Sequence, residues 1–323
     1  MEYKKFITRN IAIQNKSANY NRLCVFSHFD RDSKIDDYVL HYLKALKSAD
    51  CDIIFVSNCP NIDDSEIAKI ENLAHRIILR KNEGYDFACY LTGFYEETEK
   101  EKYKQIIFAN DSVYGPFYNL NKVFNAMQPK NLDMWGISDN VASVYHIQSY
   151  FLSFSTKMLK FLDNHFRAFK FENDKENIVT NNEVNLSRKA LEQGFSLGAF
   201  CPHADVLAFE STNFDEKYIA KIKKNISENL FYKGGIKKFF SKKLNREINF
   251  RKYFDTYLTP HLSSWYSQIQ YFNAPFIKTS LLKDPRLVHY HSFLYREVIK
   301  NKYPEFDLAL IENHLNRVRN LSL

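Results

Sequence analysis

Short apolar runs alternate with helically spaced apolar positions from about residue 22 onward. RLCVFSHF (22 to 29) is a continuous apolar run, and IDDYVLHYLKAL (35 to 46) then sets Ile35, Val39, Leu40, Leu43 and Leu46 at helical spacing. The pattern predicts strand, loop, helix. It repeats with a strand at CDIIFVSN (51 to 58), a helix at SEIAKIENL (65 to 73), and a strand at HRIILRKN (75 to 82) that ends in polar residues. YDFACYLTGFYEE opens another helix, KQIIFAND (104 to 111) is a fourth strand, and LDMWGISD (132 to 139) and HIQSYFLSFS (146 to 155) add two more. From Asn182 a helix runs through VNLSRKALEQ to Gly194, after which FSLGAF returns to strand. Alternation of this kind predicts an α/β fold with a mixed, mainly parallel, Rossmann-like sheet and helices on both faces. Beyond about Phe209 the alternation stops and Lys-, Asn- and aromatic-rich helical segments take over, so residues 1–210 read as the sheet domain and 211–323 as a helical appendage.

Composition narrows the chemistry. The chain has 8 glycines in 323 residues, against about 7% in an average protein, and their spacing forms neither a Walker loop nor a dinucleotide fingerprint. A nucleotide would have to be held another way. The five cysteines (Cys24, Cys51, Cys59, Cys89, Cys201) include no CxxC pair, which predicts reduced thiols and a cytoplasmic setting. The polar start MEYKKFITRNIAIQNKS carries no apolar leader segment, and no window has the apolar length of a membrane span.

The net charge of +7 is local: residues 233 to 252 hold eight Lys or Arg and a single acid, Glu247, so the rest of the chain is neutral. That confinement argues against a nucleic-acid-binding surface. Within 233–254, Ile236, Phe240, Leu244 and Ile248 recur at fourfold spacing beside Phe239, giving one apolar and one cationic helix face. Such a stretch either lies on an anionic membrane surface, peripheral to the inner face of the cell membrane, or is a solvated face over a helical core.

Candidate chemistry gathers at the strand ends: Ser27-His28-Phe29-Asp30, Ser57-Asn58, Asn82-Glu83-Gly84-Tyr85-Asp86 and Asn110-Asp111-Ser112. In parallel sheets ligands bind outside the carboxyl ends of the strands. Singly these are ordinary turn and cap residues. Together they outline a cleft, with Asp111 as the one carboxylate at the end of an apolar strand, where it could hold a divalent cation (Mg2+ or Mn2+) against a diphosphate. Asn82 and Gly84 would let the backbone approach a nucleotide, and His28 is placed to stack on or bond its base.

NEGYDFACYLTGF (82 to 94), FANDSVYGPF (108 to 117), MWGIS (134 to 138), HIQSYFLSF (146 to 154) and NAPFIKTSLL (273 to 282), in that order, resemble the rhamnan synthesis protein F family over roughly residues 22 to 310. The resemblance implies a GT-A type inverting glycosyltransferase, a rhamnosyltransferase of cell-surface polysaccharide assembly, with dTDP-L-rhamnose as donor and a lipid-linked glycan as acceptor. It implies that Asn110-Asp111-Ser112 occupies the place of a DXD motif. Asn110 and Ser112 replace its outer acids, which puts metal dependence in question. Asn182-Glu183 through Arg188 and Gly194 is similar to the acidic pair and helix that carry the catalytic base in inverting members, which falls on Glu183, with Asp139 in reserve. A base is needed to take the acceptor's proton as C1 is attacked; equally, Glu183 could be a helix cap. The missing acids also leave open a non-catalytic glycan- or membrane-binding module.

Gln148, His289 and His291 complete the candidates, on the acceptor or diphosphate side. His289 and His291 alternate, so on a strand both would face a metal or phosphate, or else sit as ordinary edge imidazoles. Gly194-Phe195-Ser196-Leu197-Gly198 spells a nucleophile elbow, but a helix leads into it and a strand leaves it, the reverse of what an elbow needs.

Overall fold

Strands buried on both faces must be apolar nearly throughout, and the central runs of this sequence are. The computed structural model describes residues 2–13, 20–141, 144–213, 260–283 and 292–320. Its strands are β1 (Ile7–Ala12), β2 (Arg22–His28), β3 (Cys51–Ser57), β4 (Arg76–Arg80), β5 (Gln105–Asn110), β6 (Val113–Tyr114), β7 (Met134–Asn140), β8 (His146–Ile147), β9 (Phe151–Ser155), β10 (Leu197–Cys201) and β11 (Ile277–Lys278). The main sheet runs β1-β4-β3-β2-β5-β9-β7-β10, with β8 on β7, while β11 pairs with β6 in a separate ribbon. β4, β3, β2 and β5 are parallel neighbours, and β1 and β9 are antiparallel to theirs. The sheet is mixed and mainly parallel, as the alternation predicts.

Helices cover both faces. α1 (Asp37–Ser48), α2 (Asp64–Ala68), α4 (Asn121–Met127) and the C-terminal helices pack on one face; α3 (Tyr85–Glu96), α5 (Leu159–Arg167), α6 (Lys175–Ile178) and α7 (Asn185–Glu192) pack on the other. Trp265, Phe276, Leu281, Ile299 and Leu315 share a core with Phe26 and Phe55 of the sheet, so the described part of 211–323 is built onto the same face as α1. It contains the strand β11 as well as helices.

Several boundaries differ from the sequence pattern. The polar N-terminal stretch is an edge strand, β1, paired antiparallel with β4; an edge strand tolerates polar outward positions. The helix expected over 65–73 ends at Ala68, where the Ile70 N–H turns back to Ile67 O at 3.0 Å and buries Ile70. The strand expected over 146–155 breaks between β8 and β9 so that Tyr150 O can accept from Asn110 N at 3.3 Å. The helix placed from Asn182 begins as a π-turn over Val179–Val184 and continues as α7. Gly194 ends it with φ of 81°. All five cysteines are buried and free. Among the described residues no helix is long and apolar enough to cross a membrane.

Candidate active site at the carboxyl ends of the strands

The chain runs outward from β2 through β3 to β4, then returns to place β5 on the other side of β2. The β2/β5 junction is therefore the topological switch point, where crossovers diverge and leave a crevice beyond the strand ends. Ser27 of β2 lies directly beside Asn110 of β5. Because side chains alternate faces along a strand, Ser27 and Asn110 point toward α3, while His28 and Asp111 belong to the α1 face.

On the α3 face, Asp86 gathers the strand ends. Ser27 Oγ donates to its Oδ1 at 2.7 Å and Asn110 Nδ2 to its Oδ2 at 3.0 Å. Asn110 Oδ1 in turn accepts from the Ser112 N–H (3.1 Å) and Oγ (2.5 Å). Arg80, wholly buried, joins the next strands by donating to Asn58 Oδ1 and to Glu83 O (2.7 Å). Gly84, the residue before α3, has φ of +82°, and a Cβ there would meet Ala88 Cβ and Phe169 Cζ at 2.9 Å. Its glycine is required by the turn and by packing. Asn82 is exposed beside it.

On the α1 face, Asp111 Oδ2 accepts the Phe29 N–H at 2.9 Å. Burial, and then the nearby charges of Asp86 and Asp30, push its carboxyl up to about 8 against the pull of that N–H and of Lys283. The His28 ring is closed off: Ser57 Oγ donates to its Nδ1 at 2.9 Å and its Nε2 donates to Lys34 O at 3.1 Å. Burial holds its pKa down to about 4, so it is neutral. The stacking surface expected of His28 is thus enclosed, and the exposed ring at this strand end is Phe29.

Glu183 is tied to the same edge. Its Oε2 accepts from Ser149 Oγ at 2.8 Å, and Tyr150, the next residue, is the backbone partner of Asn110. His146 Nε2 lies 3.8 Å from Glu183 Oε1 and accepts from Gln148 Nε2 at 3.0 Å, while His146 Nδ1 donates to Val144 O at 2.8 Å. Gln148 and Glu183 therefore meet through His146. Asp139 is engaged elsewhere: its Oδ1 accepts the His203 N–H at 2.7 Å, the first amide of α8 (His203–Asn213), and burial raises its pKa. His289, His291 and the stretch 233–254 lie outside the described residues.

Four groups escaped sequence reasoning. Lys278 Nζ donates to Ser112 Oγ at 2.8 Å and stands 4.8 Å from the centre of the Tyr150 ring, because β11 pairs with β6 immediately after the Asn110-Asp111-Ser112 turn. Its signal was a lysine in an otherwise apolar NAPFIKTSLL. His146 sat unremarked in HIQSYFLSF. Arg80 is a charge closing the apolar run of β4, where an unsatisfied guanidinium would be costly. Arg317, on the helix Ala309–Asn320, bonds Asp30 and Asp36 (each 2.5 Å) and Asp32 (2.9 Å).

A divalent cation fits these residues poorly. Asn110 Oδ1 is taken by Ser112 and both Asp86 oxygens are bonded inward, leaving Asp111 as the one strand-end carboxylate with an oxygen to offer. Asp30, Asp36 and His314 do have ligand atoms within 4.8 Å of one another. The Arg317 guanidinium already fills that place. Burial works against ionisation of Asp30, yet Arg317 and backbone N–H groups hold its pKa below the ordinary value; at Asp36 burial prevails and the pKa is raised.

Comparison with known proteins adds the family. The uncharacterized protein y4gN of Sinorhizobium fredii is 28% identical over 174 residues, 51% of this chain and 45% of that protein. The virulence protein VirA of Vibrio anguillarum is 26% identical over 196 residues, 58% of this chain and 62% of that protein. The chain thus spans about half the length of the curated relatives it matches. Among solved structures, residues 1–349 of S. aureus TarS align at 12% identity over 91% of both chains with a TM-score of 0.34. A cytidylyltransferase from Leptospira borgpetersenii aligns at 12% identity over 55% of this chain and 74% of its own, with a TM-score of 0.35. The profile of rhamnan synthesis protein F matches residues 53–218, a span that holds Asp86, Asn110, Asp111, Asp139 and Glu183. The chain belongs to the rhamnan synthesis protein F family.

Proposed function

We propose that this protein is an inverting glycosyltransferase of polysaccharide synthesis that moves rhamnose from dTDP-L-rhamnose to a lipid-linked glycan. The observation that carries the reading is the convergence of Asp86, Asn110, Asp111 and Lys278 on the β2/β5 switch point, with Glu183 tied to the same edge through Ser149. The donor's diphosphate would lie over the Asn110-Asp111-Ser112 turn. As the acceptor oxygen forms its bond to C1, the bond from C1 to the diphosphate oxygen breaks and the electron pair leaves with the phosphate. Lys278 would offset that charge, and the acceptor's proton would pass to the Glu183 carboxylate. Asp139, which holds the start of α8, is the less available base. The basic stretch 233–254, read from sequence, would bring the enzyme to an anionic membrane where a lipid-linked acceptor resides.

Incubation of the purified protein with dTDP-L-rhamnose and a rhamnose-terminated acceptor should release dTDP. Glu183→Gln should reduce transfer by about 10²- to 10⁴-fold, the usual worth of a positioned base, while donor binding persists. A panel of nucleotide sugars that yields neither turnover nor a thermal shift overturns the reading. Donor binding without turnover across many acceptors would instead favour a binding module.

A further inference from the structure

Two hydrogen-bond acceptors face each other beside Ser149. His146 is buried on β8, and its Nδ1, 2.8 Å from Val144 O, carries the proton of the neutral ring, because a carbonyl only accepts. That tautomer leaves a lone pair on Nε2, which the Gln148 amide meets at 3.0 Å. Glu183 Oε1 stands 3.8 Å from the same nitrogen, outside hydrogen-bond range. An imidazole lone pair and a carboxylate have no hydrogen to share, so the spacing is that of a pair one proton short.

Both members are fixed by their surroundings. His146 lies opposite Asn140 in the β7/β8 ribbon, and the next residue, Ile147, donates its N–H to Ser187 Oγ of α7 at 3.0 Å. Glu183 is held by Ser149, whose Oγ donates to Oε2 at 2.8 Å and whose N–H reaches Oε1 at 3.4 Å. Among the described residues no Lys or Arg is ion-paired with Glu183, so the contact with His146 becomes its one ion pair once the ring is charged.

We infer that His146 and Glu183 act as one proton-accepting pair, in which Glu183 takes the acceptor's proton and passes it to His146 Nε2. This rests on the reading of Glu183 as the base. The acceptor's O–H bond breaks, its electron pair forms the new bond to C1, and the proton goes to Glu183 Oε1. A closing movement of about 1 Å then brings Oε1 and Nε2 to hydrogen-bond distance. Gln148 gives up its bond to Nε2, the proton crosses, and the result is a charge-assisted pair of carboxylate and imidazolium. Solvent water takes the proton from the ring before the next cycle. His146 does not touch the acceptor; it is a positioning residue that acts through Glu183 by returning the carboxyl group to its ionised form.

Steady-state transfer by the full chain with two neutral amides at position 146 tests the pair. Glutamine sets a polar atom near the place of Nε2 and asparagine one near that of Nδ1, so between them they replace each hydrogen bond of the ring, yet neither takes up a proton. In His146→Gln and His146→Asn kcat should fall about tenfold to 10²-fold while the donor KM stays within about threefold. If one of the two fails to fold, the other decides. Adding His146→Gln to Glu183→Gln should cost less than about threefold further, because members of one proton path act as a unit. Parental kcat in either folded amide variant overturns the inference, since the ring is then only a hydrogen-bonding spacer, and so do losses that multiply in the double variant. Retained transfer by Glu183→Gln removes the base and the pair with it, whereas loss of transfer there beside an unaffected His146→Gln overturns the pair alone.

Discussion

Between residues 27 and 111 the strand ends supply the cleft with carboxylates, hydroxyls and amides, whereas Lys278, Lys283 and Arg317 of the C-terminal segment bring cations to those same groups. The first set follows from how a parallel sheet is built. Its carboxyl edge collects the polar residues that end strands and start helices, and there they crowd one another, as Asp86 and Asp30 do in adding to the burial that raises Asp111. The cations that the edge's own elements supply are engaged elsewhere, Arg80 with Asn58 and Glu83 and Lys34 with Glu66. Here the counter-charge arrives on elements that fold back from 166 residues away for Lys278 with Ser112, and 287 for Arg317 with Asp30. Under the proposed function, the near set would position a donor and the far set would neutralise its charge.

Removing Lys278 attacks that division most directly. Lys278→Met should lower the rate of transfer by about 10²- to 10³-fold, the scale of losing one group aimed at developing negative charge. Donor binding should weaken less. Steady-state transfer with and without EDTA reads the outcome: if the variant stays within about tenfold of the parent and EDTA abolishes both, a metal supplies the counter-charge and the far set is not electrostatic machinery.

Arg317→Leu comes next. It leaves Asp30, Asp32 and Asp36 facing one another in a partly buried loop, and should cost about 2–3 kcal/mol in urea unfolding, below the range for a fully buried pair because the Arg317 side chain keeps 24% of its surface exposed. Adding Asp36→Asn should recover part of the loss. A cost under about 0.5 kcal/mol would make the contact an ordinary surface pair.

The near set was legible because each member ends an apolar run. Ser27, Asn110 and Asp111 stand at strand ends that the periodicity located, and the strand–helix alternation placed them on one edge. Period-two alternation also separates Ser27 from His28, but in a strand buried on both faces it cannot say which ring is enclosed. The loop from Asp30 to Asp36, held by Arg317, closes over His28, and nothing local to RLCVFSHF encodes that. Lys278 was hidden for the same reason: β11 is two residues long, and its pairing with β6 is a long-range contact without a pattern of its own. Glu183 was found through resemblance, while its partners His146 and Ser149 required the break between β8 and β9.

A pH titration sharpens the comparison from the acid side. An Asp in an unfolded chain titrates near 3.9, while Asp111 in the fold is pushed up to about 8. Between those values the native state holds a proton that the unfolded state has lost, so stability falls as pH rises, by at most about 1.4 kcal/mol per pH unit. Asp111→Asn should flatten the curve over that window. If parent and variant show the same slope, Asp111 is ionised in the native protein, and Lys283 already offsets its charge before any donor arrives.

Asn82 gives the smallest effect and separates architecture from recognition within the near set. Asp86 and Asn110 are bound into the strand-end network, so replacing either disturbs the fold and any ligand together. Asn82 stands exposed at the same edge, one residue beyond Lys81 and two before the Gly84 turn. Asn82→Ala should leave the unfolding free energy within about 0.5 kcal/mol, as for most surface positions. If the donor lies along this edge, the same change should weaken nucleotide binding by about fivefold to tenfold, the worth of one hydrogen bond. Calorimetric titration with dTDP decides it: equal affinities in parent and variant would draw the donor away from β4 and confine it to the β2/β5 junction, where the far-set cations act.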